Sequence, residues 1–250
     1  MEETVAALLP TIIGVVVLAV LATAALLLFR VPGVWTPALA ILRGAVQLAV
    51  ISVILTGIVS APAWIGVALL AMFVIATGVA VRRTGGGVRT ALVMATSIGT
   101  GAAFAIGTVF ACGALAPSAR YLLAIGAIVI GNSMSIATLA GRRFTASVAD
   151  RWDEVEGWLA LGATPRRSTL GLARRAVREA LIPSIDQTRT TGLVVLPGAF
   201  VGAIFGGLSP LEAGRFQIVV LAAIMAAGAV TAVLIALWMG PVRVKPVVVD

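Results

Sequence analysis

Hydrophobic residues run along this chain in long unbroken stretches, punctuated by short clusters of arginine. Charge is absent from residues 4–29, 44–81, 90–119, 121–141, 190–211 and 216–242. A helix needs about 20 mainly apolar residues to cross the hydrocarbon core of a bilayer. The interval 44–81 is long enough for two crossings, with Ser60-Ala61-Pro62 as the turn between them. The pattern therefore predicts about seven transmembrane helices, near 8–30, 37–59, 64–81, 91–111, 121–140, 190–207 and 215–239. The runs are continuous and lack the period-two alternation of a membrane β-barrel. The predicted fold is an all-α polytopic bundle, with 1–250 as a single transmembrane domain.

Composition agrees. The chain is 60% hydrophobic and 11% charged, with a mean hydropathy of +1.12. Soluble domains hold about 45–50% apolar and about 25% charged residues. A water-soluble enzyme and a disordered chain are both excluded, and the one cysteine, Cys112, excludes a disulfide scaffold. The leader Met1-Glu2-Glu3-Thr4 is acidic, whereas a secretory leader is basic, so the first helix is expected to be retained.

The net charge of +8 and pI near 11.5 would suggest nucleic-acid binding in a soluble chain. Here the arginines mark topology instead. With the N-terminus outside, the inner loops carry Arg30, Arg82, Arg83, Arg89, a dense group from 142 to 189, and Arg243 with Lys245. The outer loops carry only Arg120 and Arg215, beside Glu2, Glu3 and Glu212. The positive-inside rule thus gives N-out and C-in in the cell membrane, with anionic lipid as a secondary partner and no nucleic acid.

The one long connection, 141–189, reads as a cytoplasmic helix–turn–helix. A short helix over 150–161 carries Trp152, Val155, Trp158 and Leu159 on one stripe. Gly162-Ala163 breaks it, and Thr164-Pro165 supplies an N-cap followed by proline at the first helical position. The second helix is expected to end near Ile182, ahead of Pro183. Two readings stand for this segment: an amphipathic element lying on anionic lipid, or a docking element for a cytoplasmic protein. Its size exceeds what a connection of about 4–6 residues needs.

The fragment from Glu156 to Gly162-Ala163 is similar to the coupling loop of ABC-transporter permeases, although the Leu-Pro that follows in importers has its nearest counterpart, Leu181-Ile182-Pro183, displaced here. Further motifs occur in order: Arg43-Gly-Ala-Val-Gln47-Leu48, Gly131-Asn-Ser-Met134, Leu159-Ala-Leu-Gly-Ala163, Ile182-Pro-Ser-Ile-Asp186-Gln187-Thr-Arg-Thr-Thr-Gly192-Leu-Val-Val-Leu-Pro197-Gly198, and Gly206-Gly-Leu-Ser-Pro210. Together they resemble the FetB (YbbM) family of ABC permeases, over roughly 35–240. Bacterial members are described as iron exporters, and plant relatives include the membrane half of the STAR aluminium-tolerance transporter. The resemblance implies a separate ATP-binding partner that holds ATP and magnesium, a permease homodimer, and no cofactor in this chain. It places Glu156, Leu161, Gly162 and Ala163 at the ATPase contact. Independently, the chain lacks G-x-x-x-x-G-K-[ST], and Gly85-Gly86-Gly87 is followed by no lysine.

Polar groups within the apolar runs are candidates for the substrate pathway. Arg43 lies some six residues into the second span, about 9 Å deep, with Gln47 one turn further on the same face and Ser52 and Thr56 beyond. Asn132 and Ser133 lie near the middle of the fifth span. Snorkelling or a pair with Asp186 is the structural alternative for Arg43, and interhelical hydrogen bonding the alternative for Asn132. Metal ligation is poorly supported: there is no histidine, one cysteine and no evident intramembrane carboxylate. An arginine and amide set suits an anion or a metal complex better than a bare cation. Gly198, Gly202 and Gly206 share one face, for packing within the chain or for a dimer seam, and Ala222, Ala223, Ala226, Ala227 and Gly228 form a second candidate surface.

The leading expectation is the membrane subunit of an ABC transporter, exporting metal or a small anionic solute. A stand-alone secondary transporter or channel is the alternative, and a membrane scaffold that recruits a cytoplasmic partner is a third class. The topology is testable directly. Single cysteines replacing Glu3 and Glu212 should react with an impermeant reagent from outside, and those replacing Arg83, Glu156 and Lys245 from inside. One clear reversal breaks the arrangement.

Overall fold

The computed structural model describes residues 2–59 and 64–246; the side chains of 2–8 and 53–59 are outside the description. The described residues are helical, apart from connections and one isolated bridge between Thr191 and Val195. Two compact units divide at Pro62. In the first, α1 (Glu2–Leu28) packs on α2 (Thr36–Val59). The expected turn at Ser60-Ala61-Pro62 lies outside the described residues, as does the side chain of Thr56.

The second unit is built from α3 (Trp64–Arg83), α4 (Val88–Ala111), α5 (Ala119–Asp150), α6 (Trp152–Ala160), α7 (Pro165–Ser168), α8 (Leu170–Thr190), α9 (Gly198–Phe205) and α10 (Pro210–Met239). Among the described residues, five helices are long and apolar enough to cross a membrane: Leu9–Leu28, Trp64–Arg83, Val88–Ala111, Ala119–Asp150 and Pro210–Met239. A shorter apolar stretch occupies Thr36–Ser52 of α2.

Three expectations need correction. The run 190–207 is not one spanning helix. α8 stops at Thr190, Gly192 takes φ +83, and Pro197 caps α9 in an extended conformation. An eight-residue helix such as α9 covers only about 12 Å. Pro183 does not end its helix; α8 continues through it to Thr190, with the proline ring on an exposed position. The fifth span also overshoots its expected end, since α5 runs unbroken past Arg142 and Arg143 to Asp150.

Small residues set the closest approaches. A Cβ on Gly101 of α4 would collide with Thr231 and the Ala227 carbonyl of α10, and one on Gly228 would collide with Ile136 of α5. The Thr231 hydroxyl donates across this contact to the Ser97 carbonyl at 3.3 Å. Met94, Ile98, Ile125, Ile136, Val129 and Ile235 fill the remaining space and are almost fully buried. α10 begins with a capping box, in which Ser209 and Glu212 satisfy each other's backbone amides, and Pro210 follows the cap.

Gly101→Val should therefore force α4 and α10 apart, at a cost of about 1–3 kcal/mol or more from overpacking. Gly202→Val, whose Cβ would meet nothing in this chain, should leave the fold intact. Thermal unfolding of the two detergent-solubilised variants checks the contrast; equal melting temperatures would contradict the packing described.

Candidate functional site: the α6–α7 turn and the outward face of α8

α6 and α7 form a compact protrusion at the Met239 end of α10. Val155, fully buried, joins Phe144 and Val148 of α5 and Leu172, Ala173 and Ala176 of α8 in a small core that fixes α6. The chain then reverses at Gly162, whose φ of +85 an L side chain adopts only with strain. The Gly162 and Ala163 amides donate to the carbonyls of Leu159 and Trp158 at 3.0 Å each. Thr164 accepts from the Arg167 amide and Pro165 opens α7, as the sequence predicts.

The turn leaves apolar side chains in the open. Leu161 is 82% exposed and Trp158 52%. Beside them lies a hollow of ≈ 730 Å³ lined by Arg151, Glu154, Arg167, Arg174 and Arg175, together with Trp158, Leu161, Gly162 and Ala163. Arg151 and Glu154 pair at 3.9 Å, which leaves Arg167, Arg174 and Arg175 to give the hollow a positive balance. Of the expected coupling residues, the fold gathers Leu161, Gly162 and Ala163 here. Glu156 is exposed on α6 but does not line the hollow.

The protrusion is tied to the end of α10 by polar bonds. The buried Thr169 hydroxyl donates to the Gly240 carbonyl at 2.6 Å, and an Arg166 guanidinium nitrogen donates to the Leu237 carbonyl at 3.4 Å. From that anchor α8 runs back along α10. Leu181 lies against Gly228, and Thr188 and Thr191 share a shallow hollow with Ile218, Leu221, Ala222 and Met225. Between these contacts the two chains advance equally in opposite directions, as straight antiparallel helices of one rise per residue must. By this register Asp186 is level with Ala223, near the middle of α10, and Arg178 is level with Thr231.

The face that α8 buries is Leu172, Ala173, Ala176, Ala180 and Ser184. The opposite face carries Arg175, Arg178, Ile182, Asp186 and Arg189, at helical i, i+3 and i+4 spacing, and all are exposed. Asp186 and Arg189 pair loosely at 3.9 Å, with side chains 62% and 76% exposed. The sequence gives Arg175 and Arg178, with Arg166, Arg167 and Arg174, as a basic face of the second loop helix; the structure adds its continuation through Asp186 and Arg189. The signal was present in the spacing of Arg175, Arg178, Asp186 and Arg189.

Asn132 and Ser133 sit at nearly the same level on α5, because Ile136 meets Gly228 and Phe144 packs near Ala236. The Asn132 amide is spent on the Ile128 carbonyl of its own helix at 2.8 Å. The buried Ser133 hydroxyl has no hydrogen-bond partner among the described residues. In the first unit, Arg43 and Gln47 lie one turn apart on α2 and both side chains are exposed. Asp186 has its ion pair with Arg189. Gly198 and Gly202 on α9 have nothing within van der Waals reach among the described residues, whereas Ala223, Ala227 and Gly228 are buried in the packing of α10. Among the described residues no cluster of His, Cys, Asp or Glu could hold a metal ion.

Comparisons with known proteins give the context. Residues 9–241 match the model of the family described as "Uncharacterised protein family (UPF0014)". Over 197 residues the chain is 36% identical to the UPF0014 membrane protein STAR2 of Oryza sativa subsp. japonica, covering 78% of this chain and 69% of that one. It is 40% identical to the protein ALUMINUM SENSITIVE 3 of Arabidopsis thaliana, over 46% of this chain and 42% of the relative. It is 32% identical to the "Probable iron export permease protein FetB" of Escherichia coli strain K12, over 50% and 48%. The last two alignments thus span about half the length of the relatives or less. No solved structure matches the chain.

Proposed function

Because the chain belongs to the UPF0014 family of multi-pass membrane proteins, we propose that it is the membrane-spanning subunit of an ABC transporter. It carries no catalytic site of its own. A separate cytoplasmic ATPase binds and hydrolyses ATP with magnesium, and seats on the α6–α7 turn. The observation that carries this reading is the exposed Leu161–Trp158 pair at the tip of an otherwise well-packed protrusion. An apolar tip held rigidly in water is a docking knob in search of a pocket. The basic hollow beside it would meet acidic groups on the rim of that pocket.

The link from tip to membrane is mechanical. α6 is fixed to α5 and α8 by the Val155 core, and α7–α8 to α10 by Thr169 and Arg166. A push on the tip reaches α5, α8 and α10 without passing through a loose linker. Two permease copies would form the pathway, with Gly198, Gly202 and Gly206 as the seam between them, the first two of which have open space beside them. Arg43 and Gln47 on α2, and Asn132 and Ser133 on α5, are assigned to the substrate pathway. For cargo, one relative is named for iron export and another for aluminium sensitivity. With no metal-binding cluster among the described residues of this chain, export of a metal as an anionic complex, or of a small anion, fits better than export of a bare cation. The alternative, a stand-alone secondary transporter, draws on the interruption at 191–197, a feature of such carriers.

Two variants test the reading. Leu161→Ala removes a side chain worth about 1.5–3 kcal/mol when fully buried in a partner, so the ATPase recovered with the permease should fall by about tenfold or more. Gly162→Val forces a β-branched residue to φ +85 and should uncouple ATP hydrolysis from transport while the protein still inserts. Full coupled transport in both variants, or transport by the isolated chain without ATP, would favour the secondary transporter.

A further inference from the structure

The outward face of α8 presents a contradiction if it meets lipid. Arg178, Asp186 and Arg189 are exposed, and the antiparallel register sets Asp186 beside Ala223, midway along a 30-residue apolar helix. The charge-free interval of α5 gives the same depth. Its middle is Gly131, and the α5–α10 register places Gly131 and Asn132 beside Ala223 and Ile224. Arginine can snorkel toward a headgroup on its long stem. Aspartate cannot, since its carboxylate is one methylene from the backbone. An aspartate that faces outward at mid-membrane is stabilised by water or by protein, not by lipid, and because its pair with Arg189 is loose at 3.9 Å and leaves both side chains exposed, the arrangement favours a strip that borders an aqueous space.

Resting on the permease reading above, we propose that this face of α8 lines the transport pathway at the middle of the membrane and binds the anionic oxygen groups of the cargo. Arg178 and Arg189 supply the recognition. Guanidinium groups match carboxylate and phosphate oxygens with paired hydrogen bonds. Asp186 holds Arg189 between cargo molecules, and its 3.9 Å pair is loose enough to be exchanged for a ligand oxygen. The strip begins at Arg175, which also lines the basic hollow of the α6–α7 turn. Positive charge therefore extends from the cytoplasmic protrusion through Arg175 to Arg178, level with Thr231, a field that gathers anions, and at mid-membrane Arg189 adds to it when a ligand oxygen displaces Asp186. The cargo class is a small polycarboxylate or phosphate, alone or wrapped around a metal ion.

Ile182 offers a direct probe, because it lies between Arg178 and Asp186 and its own chemistry favours lipid. In full-length protein carrying Cys112→Ser, Ile182→Cys and Thr190→Cys are treated in proteoliposomes with a charged thiosulfonate. Ile75→Cys, on an exposed apolar position of α3, is the comparison. Ile182→Cys on the strip, and Thr190→Cys one helical turn beyond Asp186, should react at least about tenfold faster than Ile75→Cys, since the reagent needs a hydrated thiolate. Citrate, ferric citrate or inorganic phosphate at millimolar concentration should slow the reaction at Ile182→Cys, while manganous chloride should leave it unchanged. Protection by ferric citrate alone identifies the chelate, and protection by phosphate alone the oxyanion; both support the proposal. Reaction at the rate of Ile75→Cys, absence of protection by every anion, or protection by manganese alone overturns it. No ATPase is needed, so a failed search for that partner and a failed pathway assignment give different results. Thr190→Cys keeps the test alive if Ile182→Cys does not fold.

Discussion

A charged side chain has no stable place in hydrocarbon without water or a partner, at a cost of about 2.5–3.5 kcal/mol near the centre of a spanning helix. The second unit is organised around the way it meets that constraint. α4, α5 and α10 bury small and branched residues against one another, so that Gly101, Gly228 and Thr231 bring the helix axes close. Against this block α8 lays an alanine-rich face, and its arginines and Asp186 turn away from the packed helices. The block is apolar and dense; the strip on its flank is polar and open. That division gives a membrane protein both a rigid frame and a surface that lipid cannot cover.

The same helix joins the two ends of the account. Its first turn is anchored to the end of α10 through Thr169 and Gly240, and the α6–α7 turn is built on the core that this anchor fixes. Its last turns lie beside the middle of α10. α8 is therefore a single rod that runs from the proposed docking tip to the proposed pathway. Pro183 interrupts it only mildly. The missing amide leaves one carbonyl unpaired within the helix, and the ring occupies an exposed position where it does not disturb the packed face.

Much of this frame could be read from sequence, and the reasons for the failures are physical. The long helices announced themselves through charge-free intervals, and the Thr164-Pro165 cap and the Gly162 reversal through residues that tolerate few other conformations. The depth of Asp186 could not be found that way. The charges from 142 to 189 separate two apolar runs, so all of them, Asp186 included, read as cytoplasmic. The run 190–207 failed for the opposite reason: it is apolar enough to span, but Gly192 and Pro197 set its backbone, and composition does not register that. The close approach at Gly101 was equally invisible, because a glycine in a helix looks the same whether its neighbour is a helix or open space; Gly228 stands among the small residues of a candidate packing surface, and the structure buries it against Ile136. The exposed glycines of α9 are the counterexample within the same chain.

The account stands on the return of α8 along α10, which a cross-linking measurement reads most directly. With Cys112 replaced by serine, Thr188→Cys should be joined efficiently to Ala222→Cys by a short bifunctional thiol reagent in the intact membrane, since both residues line one hollow. Thr188→Cys paired with Leu237→Cys, about 22 Å further along α10 by helical rise, should not be joined. Efficient linkage to Leu237→Cys without linkage to Ala222→Cys would mean that α8 stays at the end of the bundle and that Asp186 never reaches mid-membrane.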